Sequence, residues 1–534
     1  MSPVTIGTFP HYKERVCMTA TAQLMRERSA QHFINGDYQA GRGCVSTIIN
    51  PATEQPVGDY AEATAEEMEQ AIALANQVQK VWWALSALER AEALHQVADN
   101  LYTLSATVGE CLTREMGKPY REAEWEVRAC ASALRYYAEL ARQEQGRVAG
   151  PAIAGQLHMS LKEPLGTVVS IVPYNFPVLL MGWQAAAALA AGNAIIVKPS
   201  EQTSLTQLLL MPAFAPLPRG LIQVLTGGAE VGRHLVAHPH THGIAFTGSV
   251  SAGQAVAQSA ALRFKPTLIE ASGNDPFIVM PSACVETVAR AAAYAAFLNC
   301  GQVCTSAERF YVHEQVYESF VQALSAEARK LRIGNGLEHV DIGPLASERE
   351  LNRVERLVAQ ALEQGARLVC GGKRPGHLHR GWFFEPTVLE VRHDMDIMHG
   401  ECFGPIAPIC KVRSLDEAIV LANDSEMGLG ASIYTENLAE AMRAINEIES
   451  GIVWVNTPLN DNDCVPFGGR KMTGTGRELG VEGLEQFRRS KMVMIAPRAV
   501  DDPEWFPYPQ ADAFPVTTTR VSASAILGAG ELGQ

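Results

Sequence analysis

An α/β fold built on a parallel sheet covered on both faces is what this 534-residue sequence predicts, and three observations carry the expectation. Between Val168 and Glu270, β-branched runs alternate with helical segments at the spacing of a nucleotide-binding type of layout. From Asn274 onward a second α/β series follows. The breaks between elements are turn residues, as at Gly192-Asn193, which reads as a helix stop before a strand.

Length and composition narrow the function classes. At roughly 150 residues per domain the chain has room for two to four domains. Charged residues at 19% and hydrophobic ones at 47% are ordinary for a soluble globular protein. A formal charge of −14 with no basic stripe argues against a nucleic-acid partner. The amino terminus has no long apolar core, so no signal peptide is expected. The longest apolar stretch, Val178 to Val197, is broken by Gln184, Gly192 and Asn193; it reads as a buried helix plus a strand, with no membrane role. Eleven cysteines at irregular spacing make no disulfide framework, which points to reduced thiols and a cytoplasmic location.

In chain order, residues 1–30 lack periodicity and read as a loose arm. Phe33 to Gly36 and Ser46 to Asn50 read as short strands joined by a turn. Helical spacing follows at Met68, Ile72 and Ala75, over Ala87 to Leu112 and over Glu122 to Gln145. The first parallel series has strands at Val168 to Pro173, Ala194 to Lys198, Ile222 to Leu225, Gly243 to Phe246 and Thr267 to Glu270. Its helices run from Val178, Ser204, Ala229 and Ala252. The second series has strands at Phe277 to Met280, Phe310 to Val312, Leu368 to Cys370, Ile406 to Val412, Ser432 to Thr435 and Ile452 to Val455. Helices including Val316 to Leu331 and Leu415 to Ala422 lie between them. After Pro497 the composition turns to Pro and aromatics, an extended tail.

Ligands of such a fold bind where strands end. No G-x-G-x-x-G fingerprint stands at these turns; the nearest match is Gly227 to Gly232, with Gly248-Ser249 after the next strand. Those glycines either admit a pyrophosphate to a helix amino terminus or are plain turn glycines. Cys304, in a loop after an Ala-rich helix, is either a nucleophile with an oxyanion site beside it or a buried core thiol. Glu270, ending an apolar strand, is either a desolvated general base or a surface carboxylate. Asn175 either donates to an oxyanion or serves a turn. His234, His238, His240 and His242 invite a metal reading, but Pro239 interrupts them and no carboxylate is near in sequence, so no metal is expected. Asp461-Asn462-Asp463 lacks the glycine and glutamate of a calcium loop.

The motifs Pro173-Tyr174-Asn175-Phe176-Pro177, Lys198 to Thr203, Phe246-Thr247-Gly248-Ser249, Glu270 with Gly273, Gly301-Gln302-Val303-Cys304, Glu401 to Pro405 and Pro466 to Lys471 stand in one order and spacing. By them the chain resembles the NAD(P)-dependent aldehyde dehydrogenase superfamily over about residues 30 to 497. The resemblance implies a Rossmann-like cofactor domain, an α/β catalytic domain and a small β oligomerisation element. The divisions would be an arm at 1–30, an NAD-binding domain at 31–145 and 166–272, a catalytic domain at 273–484, oligomerisation strands at 146–165 and 485–500, and a tail at 501–534. It further implies Cys304 as nucleophile, Glu270 as the base that activates water, and Asn175 with the Cys304 amide as oxyanion hole.

Cofactor contacts are implied at Pro173, Tyr174, Lys198, Ser200, Glu201, Gly228, Gly232, Phe246, Gly248, Ser249, Ala271, Glu401 and Phe403. Phe176, Leu180, Trp183, Val303, Thr305 and Phe467 would line the aldehyde tunnel. Glu201 should repel a 2′-phosphate, favouring NAD over NADP. Asp461 and Asp463 could face the tunnel mouth and favour a cationic aldehyde; the alternative is a solvated acidic loop. Ala271-Ser272-Gly273 departs from the usual Leu-Gly-Gly after the base, which bears on turnover rate. The rival functions are a coenzyme A-acylating dehydrogenase, against which Glu270 stands, and a non-catalytic NAD-binding member. A homodimer or homotetramer is expected, because exposed strands pair.

Overall fold

The computed structural model describes residues 11–143, 146–499 and 505–507, the side chains of 11–19 excepted. The tail expected at 501–534 therefore lies outside the described residues except for 505–507. Part of the expected loose arm is a helix, His11–Arg28. Thr21 and Met25, one turn apart, are both buried, and Leu24 packs on the main core. So narrow a stripe in a polar segment leaves little periodicity to read.

The first strands are also arranged differently from expectation. Gln31–Ile34 turns back on Asp37–Ala40 across Asn35 and Gly36, whose φ angles of 53° and 77° suit a two-residue hairpin. Val45–Ile49 pairs instead with Pro56–Ala61. The helices that follow start at capping boxes, Thr64 with Glu67 and Ser86 with Glu89. The second of them, Ala87–Met116, ends at Gly117 with φ 95°, so the chain turns inward and Lys118 is buried.

Eight strands form the first sheet, in the order Asp37–Ala40, Gln31–Ile34, Ile222–Val224, Ala194–Lys198, Thr167–Ile171, Gly243–Thr247, Thr267–Glu270, Gly474–Thr475. The five central strands are parallel. Chain order reverses at Thr167–Ile171, with Ala194–Lys198 on one side and Gly243–Thr247 on the other, which opens a crevice at their carboxyl ends. Gly474–Thr475 was not expected as a strand; it closes the far edge antiparallel, with Gly474 opposite Glu270.

A second sheet of seven strands runs Arg367–Cys370, Thr387–Glu390, Ile406–Val412, Ala307–His313, Asp275–Val279, Ser432–Tyr434, Trp454–Val455. Thr387–Glu390 had no counterpart in the sequence reading. Each sheet has its own apolar core. Gly146–Ala149, Leu157–Pro164 and Arg488–Ile495 form a separate three-stranded sheet. Residues 146–161 and 490–499 belong to one compact unit, and both large sheets belong to the other. None of the described helices is long and apolar enough to cross a membrane.

Candidate active site

The helix Val285–Phe297 ends in a tight loop where Asn299, Cys300 and Gly301 take φ of 51°, 59° and 71°. Left-handed backbone at three successive residues needs external support. Gln302 supplies part of it: its side-chain amide donates to the Asn299 carbonyl at 3.0 Å, and its Oε1 accepts from the Ala346 amide at 2.9 Å. Gly301 has no room for a side chain, since a Cβ would lie 2.1 Å from the Gly404 carbonyl oxygen. The loop therefore delivers Cys304, half-buried, between the carboxyl edge of the first sheet and the start of the Ala307–His313 strand. Gly273 crosses directly behind it; a Cβ there would lie 2.0 Å from the Cys304 carbonyl oxygen. Cys300 is fully buried in the second core.

Asn175 sits in the turn between the Thr167–Ile171 strand and the helix Pro177–Ala190. Its Nδ2 donates to the Gln302 carbonyl at 3.2 Å, which ties it to the thiol loop, and its Oδ1 is buried without a partner among the described residues. Sequence reading assigned no role to the Lys118 and Glu126 regions. The Lys118 Nζ donates to the Asn175 carbonyl at 2.5 Å and to Glu126 at 2.7 Å, and it lies 3.7 Å from the centre of the Phe176 ring. Glu126 in turn accepts from the Val178 and Leu179 amides, at 2.7 and 3.0 Å. A buried ion pair thus fixes both the Asn175 backbone and the amino end of its helix.

Glu270 ends the Thr267–Glu270 strand, and neither carboxylate oxygen completes a hydrogen bond among the described residues. Burial, then Glu478, push its pKa well above the usual carboxylate range. Burial and the facing Glu270 likewise push the Cys304 thiol up. The Cys304 thiol offsets part of the rise at Glu270, whereas the Glu270 charge adds to the rise at Cys304. Glu478 was not singled out from sequence. Its Oε1 accepts from Gln184 at 3.0 Å, and burial raises it to about 7.

The expected cofactor residues gather at the reversal of the first sheet. Pro173 and Tyr174 follow the Thr167–Ile171 strand, and Lys198, Ser200 and Glu201 follow the next, with the Lys198 Nζ 3.9 Å from Glu201. Phe246, Gly248 and Ser249 follow Gly243–Thr247, where Ser249 caps the helix Val250–Ala261 and leaves its amino end open to an anion. Gly248 carries the Phe246 ring so close that a Cβ would lie 2.7 Å from it, whereas Gly232 has space for one.

Gly228, before the helix Ala229–Ala237, donates its amide to both oxygens of Glu62, at 3.0 and 2.9 Å, a contact that joins segments 166 residues apart. Across the crevice, Glu308 accepts from the Cys402 and Phe403 amides at 2.8 and 2.7 Å. Arg353 donates to the carbonyls of the same two residues, at 2.7 and 3.0 Å. This clamp holds Glu401 against Ser272 and Gly273, with burial raising it to about 7, and sets Phe403 edge-on to Tyr174. Ala271 is buried, its amide bonded to the Thr473 carbonyl at 2.6 Å. The crevice, open helix end, lysine and flanking carboxylates fit a dinucleotide.

Phe176, Leu180, Trp183, Val303, Thr305 and Phe467 line one cavity of about 1170 Å³ together with Cys304. Trp183 and Phe467 pack with ring centres 5.0 Å apart. Asp461 also lines this cavity, whereas Asp463 accepts from Ser132 at 2.6 Å. The histidines seen in sequence do meet a carboxylate in space: Glu69 lies 2.8 Å from His238 and 3.7 Å from His234. The His238 Nδ1 accepts the His240 amide, so its Nε2 carries the proton toward Glu69, a hydrogen-bonded arrangement.

Residues 39–493 match the aldehyde dehydrogenase family. The chain is 37% identical to 3,6-anhydro-alpha-L-galactose dehydrogenase of Vibrio sp. (strain EJY3), over 87% of this chain and 98% of that protein. It is 36% identical to the NADP(+) succinate-semialdehyde dehydrogenase of Escherichia coli, over 87% and 97% respectively. The structure of Staphylococcus aureus betaine aldehyde dehydrogenase with NAD+ superposes at a TM-score of 0.88, with 30% identity, over 92% of this chain and 99% of that one.

Proposed function

The chain belongs to the aldehyde dehydrogenase family, oxidoreductases acting on aldehydes, and on that premise we propose that Cys304, Glu270 and Asn175 carry its reaction. The observation that supports this most is the facing pair of Cys304 and Glu270: the carboxylate adds to the rise of the thiol's pKa, and the thiol offsets part of the rise that burial imposes on Glu270. The Cys304 thiol loses its proton to solvent and the thiolate sulfur adds to the aldehyde carbon, giving a thiohemiacetal. The Asn175 Nδ2 and the Cys304 amide stabilise the oxyanion that forms. Nicotinamide held beside Glu401 and Phe403 would supply the hydride acceptor, so that collapse of the oxyanion would leave a thioester on Cys304. Glu270 then removes a proton from water, the water oxygen adds to the thioester carbon, and the carbon–sulfur bond breaks to release the carboxylic acid.

Lys198, Glu201, Ser249, Glu401 and Phe403 would hold the dinucleotide. NAD rather than NADP is the preferred cofactor in this reading. Glu62 and Glu201 both flank Gly228, so a 2′-phosphate beside it would meet two carboxylates. The three-stranded sheet supports a homo-oligomer: Val148, Leu161, Met492 and Met494 are exposed on its strands. Light scattering that gave the mass of a single chain would exclude it.

The test of the reaction is aldehyde-dependent NADH formation with carboxylic acid released in equal amount. Cys304→Ala is expected to abolish it, and a variant retaining near wild-type turnover would refute the assignment.

A further inference from the structure

We propose that His393, His399 and Asp424 form a binding site for a divalent transition-metal ion of the zinc type, where the Thr387–Glu390 strand and the helix Leu415–Asn423 end. One ligand atom of each residue lies within 4.8 Å of those of the other two. The His393 Nε2 is 2.9 Å from the Asp424 carboxylate, and its Nδ1 is 3.1 Å from the hydroxyl of the fully buried Tyr311. That hydrogen bond to His393, which outweighs slight burial, holds the Asp424 carboxyl below the usual range, and the charges of His393, His399 and Arg309 act in the same sense. Asp424 is therefore ionised at neutral pH, as a ligand must be.

Ligation through Nε2 requires the imidazole proton on Nδ1, with an acceptor to receive it. The Tyr311 hydroxyl can be that acceptor: it donates to the Leu421 carbonyl at 3.1 Å, accepts from Arg309 at 3.2 Å, and keeps a lone pair for the His393 Nδ1. With the site free of metal the hydroxyl can instead donate to Nδ1 while Nε2 bonds Asp424, because the Leu421 carbonyl still accepts from Arg309 at 3.1 Å. A metal ion thus replaces one proton and leaves no buried group unpaired. Glu69, His234 and His238 lack this freedom, since the His238 Nδ1 faces a main-chain amide that can only donate.

The segments that carry the ligands are already anchored. Gln360 and Gln364 donate to the Asp396 carboxylate at 2.5 and 2.7 Å, and the Gln364 Oε1 accepts the Asp396 amide at 3.0 Å, which sets the helical turn Asp396–Met398 before His399. Asn423 donates to the Glu447 carbonyl at 2.8 Å, and its own carbonyl accepts from Lys471 at 2.8 Å, which sets Asp424. Tetrahedral zinc ligands stand about 3.3 Å apart, so only the exposed ends of His399 and Asp424 need to adjust. Two imidazoles and a carboxylate suit zinc and its neighbours, whereas magnesium and calcium prefer oxygen donors. Water would complete the coordination.

The experiment is carbethoxylation of the full chain by diethyl pyrocarbonate, followed residue by residue by peptide mass spectrometry, across a titration with Zn2+ or with Mg2+. Zn2+ is expected to slow modification of His399 at least tenfold, while the exposed His377 and His379 react at their metal-free rate. Mg2+ should leave all three unchanged. In Asp424→Ala, and separately in His393→Ala, the Zn2+ concentration that half-protects His399 should rise at least tenfold. The first of these removes an exposed side chain and leaves the Tyr311 contact in place, so it tests ligation without disturbing the core. An unprotected His399 in wild type, equal protection by Mg2+, or a half-protection point that Asp424→Ala leaves unmoved would overturn the site.

Discussion

The Lys118 ammonium donates to the main-chain carbonyl of Asn175 at 2.5 Å while pairing with Glu126 at 2.7 Å, so one buried cation holds the residue assigned to the oxyanion. Both side chains are fully excluded from solvent. Lys118→Met leaves the Glu126 carboxylate buried and unpaired, which costs about 3–5 kcal/mol of stability. Chemical denaturation should show that loss. A further fall in kcat of the folded fraction, with KM nearly unchanged, is expected because Asn175 loses its anchor; unchanged kcat would mean that the anchor is dispensable.

Gly273→Ala probes the same site from the other side. A Cβ 2.0 Å from the Cys304 carbonyl oxygen must displace the nucleophile loop. A displacement of about 1 Å at a reacting group costs on the order of 100-fold in rate. Steady-state turnover should fall by that order, while the denaturation midpoint moves little if the loop alone yields.

How much of this was legible in the sequence follows from how local each interaction is. Phe176, Leu180 and Trp183 share one turn and helix, and Val303 and Thr305 flank Cys304, so short motifs carried the cavity wall. The clamps were hidden because they join distant segments: Glu62 with Gly228, Glu308 with Cys402 and Phe403, Gln184 with Glu478 294 residues away. No periodicity marks such pairs. The errors in the fold had the opposite origin, in signals too weak or too short. Asn35-Gly36 was a hairpin signal overlooked, Gly474–Thr475 is a two-residue strand, and the helix His11–Arg28 buries too thin a stripe to show.

The charge relation between Cys304 and Glu270 predicts a pH effect of definite sign. Glu270 raises the thiol, so removing its charge with Glu270→Gln should lower the thiol's pKa. Alkylation of Cys304 by iodoacetamide, followed against pH by peptide mass, should show its midpoint moving down in the variant. An upward or absent shift would mean that the Glu270 charge does not act on the thiol.

Stability should also depend on pH. Asp275 is buried, neither carboxylate oxygen completes a hydrogen bond among the described residues, and burial raises its pKa to about 7 against 3.8 for the free group. A folded-state pKa above the unfolded one means that the folded state binds the extra proton. Its contribution is therefore fully present below about pH 4 and is lost as pH rises toward 7. Glu122 and Glu478, also near 7, act in the same direction above about pH 4.5. Thermal midpoints should fall between pH 5 and pH 7.5, and Asp275→Asn should make that fall shallower. A slope identical to wild type would remove Asp275 from the account.

The most direct test is to trap the acyl-enzyme. With Glu270→Gln, NAD and an aldehyde, hydride transfer should proceed once and deacylation should slow by about 100- to 10,000-fold, the usual contribution of a general base. Intact-protein mass spectrometry should then show one acyl group per chain, mapped by peptide analysis to Cys304, alongside a single-turnover burst of NADH. NADH formed without any adduct on Cys304, or with the acyl group on another cysteine, would contradict the assignment of the nucleophile.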